Sequence, residues 1–203
     1  MLITMVIAGI LFITVSMIIM YANESWLKAQ KISGVLSDSR AGKKTIEYQV
    51  RSAITVPADF MYSTSEPFTM ASSSDSFSIT PDANGGQQLT FNVIDRNANS
   101  YKLDRFRYDN SLGAIVYDYW YATTNPPHPT SPPYTITYSG ASTSTIVIIN
   151  DAQGMMVSPI GDPGSPADGV KVIITQSKKL IGGSSETMLS TTTFSIKARN
   201  LRK

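Results

Sequence analysis

The side chains best suited to chemistry in this sequence are carboxylates, which fall into two groups. The first group lies within or beside predicted strands and comprises Asp95, Asp104, Asp109 and Asp118. The second group lies in the acidic, glycine-rich segment 150–169 and comprises Asp151, Asp162 and Asp168. Oxygen ligands of this kind are the ones that Ca²⁺ prefers. Neither group has the dense, regular aspartate spacing of calcium-binding loops, and the preference of aspartate for turns is the favoured interpretation of both groups.

Composition excludes most other site chemistry. The chain contains no cysteine, so thiol catalysis, disulfides and cysteine-based zinc sites are excluded. The single histidine, His128, lies in a proline-rich segment with no second ligand near it in the sequence. No Gly-x-Ser-x-Gly elbow or phosphate-binding glycine loop is present. We therefore expect a structural protein with no catalytic residue, no cofactor and no metal, rather than an enzyme.

Cations and aromatic rings alternate in the segment 101–108. The cations are Lys102, Arg105 and Arg107, and the rings are Tyr101, Phe106 and Tyr108. Such alternation suits contact with nucleic-acid phosphates and bases. The net charge of only +2 gives no strongly basic surface, so nucleic acid is an unlikely partner. Because neither face of this strand is purely apolar, the pattern predicts an exposed sheet face or an edge strand.

The element that most constrains the fold is the N-terminal run 1–21, which no charge interrupts. About 20 apolar residues in a helix span the hydrocarbon core of a bilayer. The run is too long for the apolar part of a signal peptide, and it lacks a basic start and a small-residue cleavage site. A plain single-pass anchor remains an alternative.

Helical spacing continues from residue 22 to about residue 54, with no proline before Pro57. The residues predicted to form one apolar stripe are Trp26, Ile32, Val35, Leu36, Ile46, Val50 and Ile54. Gly34 and Gly42 weaken a helix, so a bend or break near 37–42 is an open possibility. The pattern predicts one helix of about 50 residues whose first half is apolar all round and whose second half packs on a head.

From about residue 54 onward, β-branched and aromatic residues alternate with polar ones. The predicted strands are 76–80, 88–94, 101–108, 114–121, 134–138, 143–150, 170–176 and 189–198. The segment 123–133 holds five prolines and is predicted to be a stiff surface loop that binds a partner or is a variable insertion. The fold class is therefore α+β, a long helix packed on a mainly antiparallel sheet. Its parts are an apolar helix half at 1–21, an amphipathic half at 22–56 and a β-rich head at 57–203.

Several segments carry a resemblance to a known family. The run MLITMVIAGIL at the start of the two-part helix resembles the apolar stretch of type IV pilins and pseudopilins. In the head, 90–108, 147–154, 170–176 and the ending 192–202, with Arg199 followed by Asn200, resemble PilW-type minor pilins and the J-type pseudopilins of type II secretion. The usual Phe-Thr-Leu-Ile-Glu motif does not precede the run, and we expect the native gene to encode a short basic leader ending in glycine upstream of Met1.

The resemblance implies a structural filament subunit that enters the inner membrane and then assembles with other pilin subunits by helix packing, at the cell surface or in the periplasm. A priming or tip subunit is favoured over a repeating one, and any surface ligand of the head is unknown. The alternatives are a single-pass anchored extracytoplasmic binding domain unrelated to pili, and a membrane-tethered enzyme. The expected assembly surface comprises Met1, Leu2, Ile3, Val6, Ile7, Ala8, Gly9, Ile10, Leu11, Phe12, Ile13, Val15, Met17 and Ile18.

Overall fold

An unbroken helix opens the chain. The computed structural model describes residues 2–54, 60–64, 77–81, 86–95, 100–122, 134–138, 142, 144–161, 167–179 and 187–199. Helix α1 spans Leu2–Arg51, and its 50 residues confirm the predicted single helix. The possible break near 37–42 does not form. Instead, Gly42 is buried where α1 approaches the carbonyl oxygen of Ile148, so its missing side chain permits close packing.

Eleven short strands are described after the helix. They are β1 (Ala53–Ile54), β2 (Phe60–Thr64), β3 (Ser78–Pro81), β4 (Gln87–Asp95), β5 (Ser100–Asp109), β6 (Ala114–Tyr121), β7 (Tyr134–Tyr138), β8 (Ser144–Ile149), β9 (Ala152–Ile160), β10 (Gly169–Lys179) and β11 (Thr187–Lys197). The largest sheet has the order β1-β4-β5-β6-β8, with β3 also paired to β4, and all of its pairs are antiparallel. A second antiparallel sheet has the order β11-β10-β9. The pair β2-β7 is parallel. A long helix with two antiparallel sheets confirms the α+β prediction.

Strands β1, β2 and β9 were not predicted from the sequence. The helix ends at Arg51, so Ile54, predicted to be on its apolar stripe, lies in β1 instead. Strand β9 lies inside the segment 150–169, where glycine and proline indicated a loop. Its alternate residues Met155 and Val157 are buried, whereas Met156 is exposed, so a normal strand alternation is present there. The proline-rich segment 123–133 with His128, and also Asp162 and Asn200, lie outside the described residues.

The large sheet is buried on both faces. We call the face that packs against α1 and the β9-β10-β11 sheet the inner face; it carries Leu89, Phe91 and Phe106 among its buried residues. The opposite, outer face carries Asn92, Leu103 and Trp120, which are also buried. Tyr138 of β7 donates a hydrogen bond of 2.9 Å to Oδ1 of Asn92, so β7 packs over the outer face.

Strand β11 follows the second half of α1 along its length. Ser39 and Thr192 share a hydroxyl–hydroxyl hydrogen bond of 2.6 Å, and the N–H of Arg199 donates to the carbonyl of Arg51 at 3.3 Å. Residue numbers therefore rise together along the two elements. The start of β11, where Thr187 pairs with Lys179 at the end of β10, therefore lies nearest the apolar half of the helix.

Candidate assembly surface and the charge clusters of the head

The apolar half of α1 is covered by no described part of the head. By length and composition, α1 is long and apolar enough to cross a membrane, with a mean hydropathy of 2.6 and 0% burial in its most apolar window. Ile3 is 76% exposed, Phe12 75% and Tyr21 75%. In water this surface would be strongly unfavourable, because each buried aliphatic or aromatic side chain stabilises a protein by about 1.5–3 kcal/mol.

The predicted assembly residues all belong to this half or precede it. Met1 lies outside the described residues, and Leu2 lies in α1 with its side chain outside them. The remaining predicted residues are all exposed around the helix: Ile3, Val6, Ile7, Ala8, Gly9, Ile10, Leu11, Phe12, Ile13, Val15, Met17 and Ile18. The structure thus places them on one continuous apolar surface that no described residue covers.

Two local features suit this half to an apolar environment. The hydroxyl of Thr14 donates to the carbonyl of Ile10 at 2.8 Å, so the helix satisfies this polar group by itself. A Cβ atom added at Gly9 would meet nothing within 4 Å. Gly9 is therefore not required by the fold of the single chain, although small residues allow close approach between helices.

The second half of α1 packs on the head through one face. Val35, Gly42, Ile46 and Val50 are buried there. The predicted stripe is wrong at Trp26 and Leu36, which are 63% and 41% exposed. Trp26 precedes the part of α1 that the head covers, and Leu36 points away from the face that carries Val35.

The outward face of this second half is also uncovered. One shallow groove along the helix is lined by Ala29, Ile32, Ser33, Leu36, Ser37, Arg40, Ala41 and Lys44. Tyr48, further along the same face, is 71% exposed. An uncovered strip of small and apolar side chains, with the cations Arg40 and Lys44 among them, therefore continues beyond the membrane-length segment.

Within the head, a buried charge cluster lies on the inner face of the large sheet. Nζ of Lys102 donates to the hydroxyl oxygen of Tyr117 at 2.8 Å, and that hydroxyl donates to Oδ1 of Asp104 at 2.9 Å. Lys102 and Asp104 also form an ion pair of 3.2 Å. The ammonium group lies 5.6 Å from the ring centroid of Tyr117 and 5.5 Å from that of Tyr119.

Asp104 is fully buried, and its Oδ2 atom has no hydrogen-bond partner among the described residues. Burial raises the pKa of Asp104 to about 6, although Lys102 and Tyr117 oppose that shift. Since the unfolded value is about 4, the folded head binds a proton between pH 4 and 6 that the unfolded chain releases. The contribution of Asp104 to stability therefore falls as the pH rises through this window.

A second cluster lies on the outer face, around Asp118. Oδ2 of Asp118 accepts hydrogen bonds from Nη2 of Arg105 at 2.8 Å and from Nε of Arg107 at 2.8 Å, and Oδ1 accepts one from the Thr145 hydroxyl at 2.6 Å. The guanidinium group of Arg105 also stacks 4.8 Å from the Trp120 ring centroid. Burial alone would raise the pKa of Asp118, but the hydrogen bonds from Thr145 and the two arginines outweigh it and lower that pKa.

The carboxylates singled out in the sequence do not converge on one metal site. Arg107 bridges Asp109 and Asp118, with 2.8 Å to each, and Asp95 accepts a hydrogen bond of 2.9 Å from the Tyr121 hydroxyl. Asp104 faces inward and Asp118 outward, while Asp109 caps the β5–β6 turn by accepting from the N–H groups of Ser111 and Leu112. Asp151 and Asp168 pair with Lys178 and Lys197. Within the described residues, no three His, Cys, Asp or Glu side chains are placed to hold a metal ion.

The prediction that β5 has an exposed face or forms an edge is wrong. β5 pairs with β4 on one side and with β6 on the other, and Lys102 and Asp104 are buried. The cations that suggested contact with nucleic acid are instead paired with carboxylates inside the head. Sequence analysis could not find these clusters, because they depend on the register that sets Arg105 directly opposite Asp118.

Comparison of the chain with known protein families, with characterised proteins and with solved structures gave no match. The shape itself, a long N-terminal helix packed on an antiparallel sheet, is compatible with a pilin-like fold.

Proposed function

We propose that the chain is a structural subunit of a type IV pilus-like or pseudopilus filament that assembles through α1. It would lie in the membrane before assembly, and its partners would be copies of itself or other pilin subunits. The similarity of its head to PilW-type and J-type proteins favours a priming or tip subunit. The observation that carries the proposal is the continuous uncovered strip on α1.

The extent of that strip favours a filament subunit over a plain anchor. An anchor needs apolar surface only over about 20 residues. Here the outward face of the second half also exposes Leu36 and Tyr48, which are 41% and 71% exposed and lie beyond the membrane-length segment. A second helix that packs along this face would bury these exposed apolar side chains.

Gly9 provides a test that leaves membrane insertion intact. Gly9→Leu adds an apolar side chain that a bilayer accepts, and the single chain has open space there. If neighbouring helices pack closely at Gly9, the added volume costs about 1–3 kcal/mol per contact. The subunit concentration needed for assembly should then rise about tenfold or more, and Gly9→Ala should have a smaller effect.

Assembly is measured from sheared filaments by electron microscopy and by cross-linking, for which single cysteines can be introduced into the cysteine-free chain. Ile10→Leu, which conserves volume, is the matched control and should assemble normally. A wild-type chain that inserts into membranes but forms no filament, alone or with other pilin subunits, would refute the proposal. Unchanged assembly of Gly9→Leu would refute close packing at this position.

A further inference from the structure

The rim of the head nearest the apolar half of α1 is set by the contact between α1 and β10. Nζ of Lys31 lies 3.5 Å from the backbone carbonyl oxygen of Lys179, the last residue of β10. Further along both elements, Ser39 of α1 contacts Thr192 of β11. The end of β10 at Lys179 and the start of β11 at Thr187 are therefore the parts of these strands closest to the apolar half of α1. Leu189, on β11 at this end, is 68% exposed.

Charge at this rim is predominantly positive. The cations on the helix and on the facing strand end are Lys28, Lys31, Lys178 and Lys179. The anions at the same level are Glu24 and Asp151, of which Asp151 pairs with Lys178 at 2.8 Å. Among the described residues, four cations against two anions leave a net charge of +2 at this rim, and the exposed side chains of Trp26 and Leu189 lie on its helix and its strand.

The position of the rim along α1 brings it to the membrane surface. At a rise of about 1.5 Å per residue, Trp26 lies about 8 Å and Lys31 about 15 Å beyond Tyr21, where the apolar run ends. The headgroup layer of one leaflet is about 5–7 Å thick. Trp26 therefore lies at the outer edge of the headgroup layer, and tryptophan is enriched at such membrane–water interfaces. Lys31 and Lys179 lie about one Debye length above the headgroups.

We propose that this rim, formed by Lys28, Lys31, Lys178 and Lys179 with Leu189, faces the bilayer and is attracted to the anionic phospholipid headgroups of the membrane holding α1. The proposal rests on the proposed function insofar as α1 is inserted in a bilayer. Each lysine that reaches an anionic surface shifts the binding equilibrium by up to about fivefold, and the attraction falls off within a Debye length. The attraction draws the head toward the bilayer before assembly and is lost when the subunit leaves the membrane.

The full chain, reconstituted into vesicles, tests the proposal. A Leu189→Cys variant carries a fluorophore at the rim, and a nitroxide on phosphatidylcholine headgroups quenches it according to proximity. Ser195→Cys, exposed on the same strand and further from the rim, is the reference position. Vesicles of phosphatidylcholine are compared with vesicles that also contain phosphatidylglycerol. We expect stronger quenching at residue 189 with the anionic lipid, and no such change at residue 195.

Two double variants remove the same charge in different places. Lys31→Gln with Lys179→Gln should abolish the effect of anionic lipid, whereas Lys44→Gln with Lys171→Gln, an exposed helix and strand pair outside the rim, should retain it. Equal quenching in both kinds of vesicle, or equal behaviour of the two double variants, overturns the attraction to anionic lipid alone. A chain that fails to insert into either vesicle overturns the proposed function as well.

Discussion

Substituting Gly42 by alanine tests the packing of α1 on the head. A Cβ atom at this position would overlap the side chain of Ile149 and would lie 3.0 Å from the carbonyl oxygen of Ile148. Ile149 is fully buried in the core, and α1 is fixed on either side of Gly42 by buried Ile46 and by the Ser39 hydroxyl. Moving either α1 or β8 to make room would therefore disrupt buried contacts.

Two opposing effects determine the magnitude. Alanine favours a helix interior over glycine by about 1 kcal/mol, whereas overpacking a well-packed core costs about 1–3 kcal/mol and occasionally more. Because the added atom meets both a buried side chain and backbone, we expect Gly42→Ala to lower the free energy of unfolding by about 1–2 kcal/mol. Gly34→Ala, on the same helix with nothing within 4 Å of its Cβ, should instead raise it by up to about 1 kcal/mol.

Urea unfolding of the full chain in detergent micelles measures both effects. Trp120 is buried and reports on the head, and Trp26→Phe removes the exposed second tryptophan. Ile149→Val should recover part of the loss when combined with Gly42→Ala, giving a coupling energy between the two sites. If Gly42→Ala stabilises the head as much as Gly34→Ala does, the close contact between α1 and β8 is wrong.

Three further substitutions address the head. The pKa of the Asp104 carboxyl rises to about 6 on folding, so the free energy of unfolding of the wild type should fall by about 3 kcal/mol between pH 4 and 7. Asp104→Asn has no such carboxyl and should not show this fall. Urea titrations across that pH range measure both proteins, and parallel pH profiles would contradict the expectation. Asp118→Ala should lower the free energy of unfolding by about 2–3 kcal/mol, since it removes the carboxylate that accepts from both Arg105 and Arg107, while Arg107 keeps its ion pair with Asp109. A melting temperature near that of the wild type would contradict this role of Asp118. Gly169→Ala should destabilise by about 1–3 kcal/mol because its Cβ would meet the backbone of Ile196 and Lys197, whereas Gly154→Ala, which has open space, serves as the control in the same unfolding experiment.

The helix and most strands could be predicted because their signals are local. An apolar, charge-free run of about 20 residues without proline predicts a helix, and β6 and β7 were predicted with the bounds that the structure shows. β9 was missed because its Gly154 and Pro159 indicate a loop when read alone. The hydrogen bonds that stabilise β9 come from its pairing with β10 over most of its length, and the sequence of β9 alone does not show this pairing.

The charged residues of β5 show why the interior of the head could not be predicted. Lys102 and Asp104 in one strand indicate a solvent-exposed face, since buried charges are costly without partners. Their shared partner is the hydroxyl of Tyr117, which is 13 residues from Asp104 and reaches it only through the β5–β6 register. A pairwise contact of this kind is a property of two strands, and the pattern of one strand does not encode it.

The same helix therefore meets two different physical requirements along its length. Its second half buries Val35, Ile46 and Val50 against the head, where removal of apolar surface from water stabilises the contact. Under the proposed function, its first half would gain nothing comparable on moving from lipid to a neighbouring helix, because lipid tails are as apolar as its own side chains. Association there would have to come from close van der Waals packing. That would make the small residues Ala8 and Gly9, rather than the many large ones around them, the positions at which filament assembly is most sensitive to substitution.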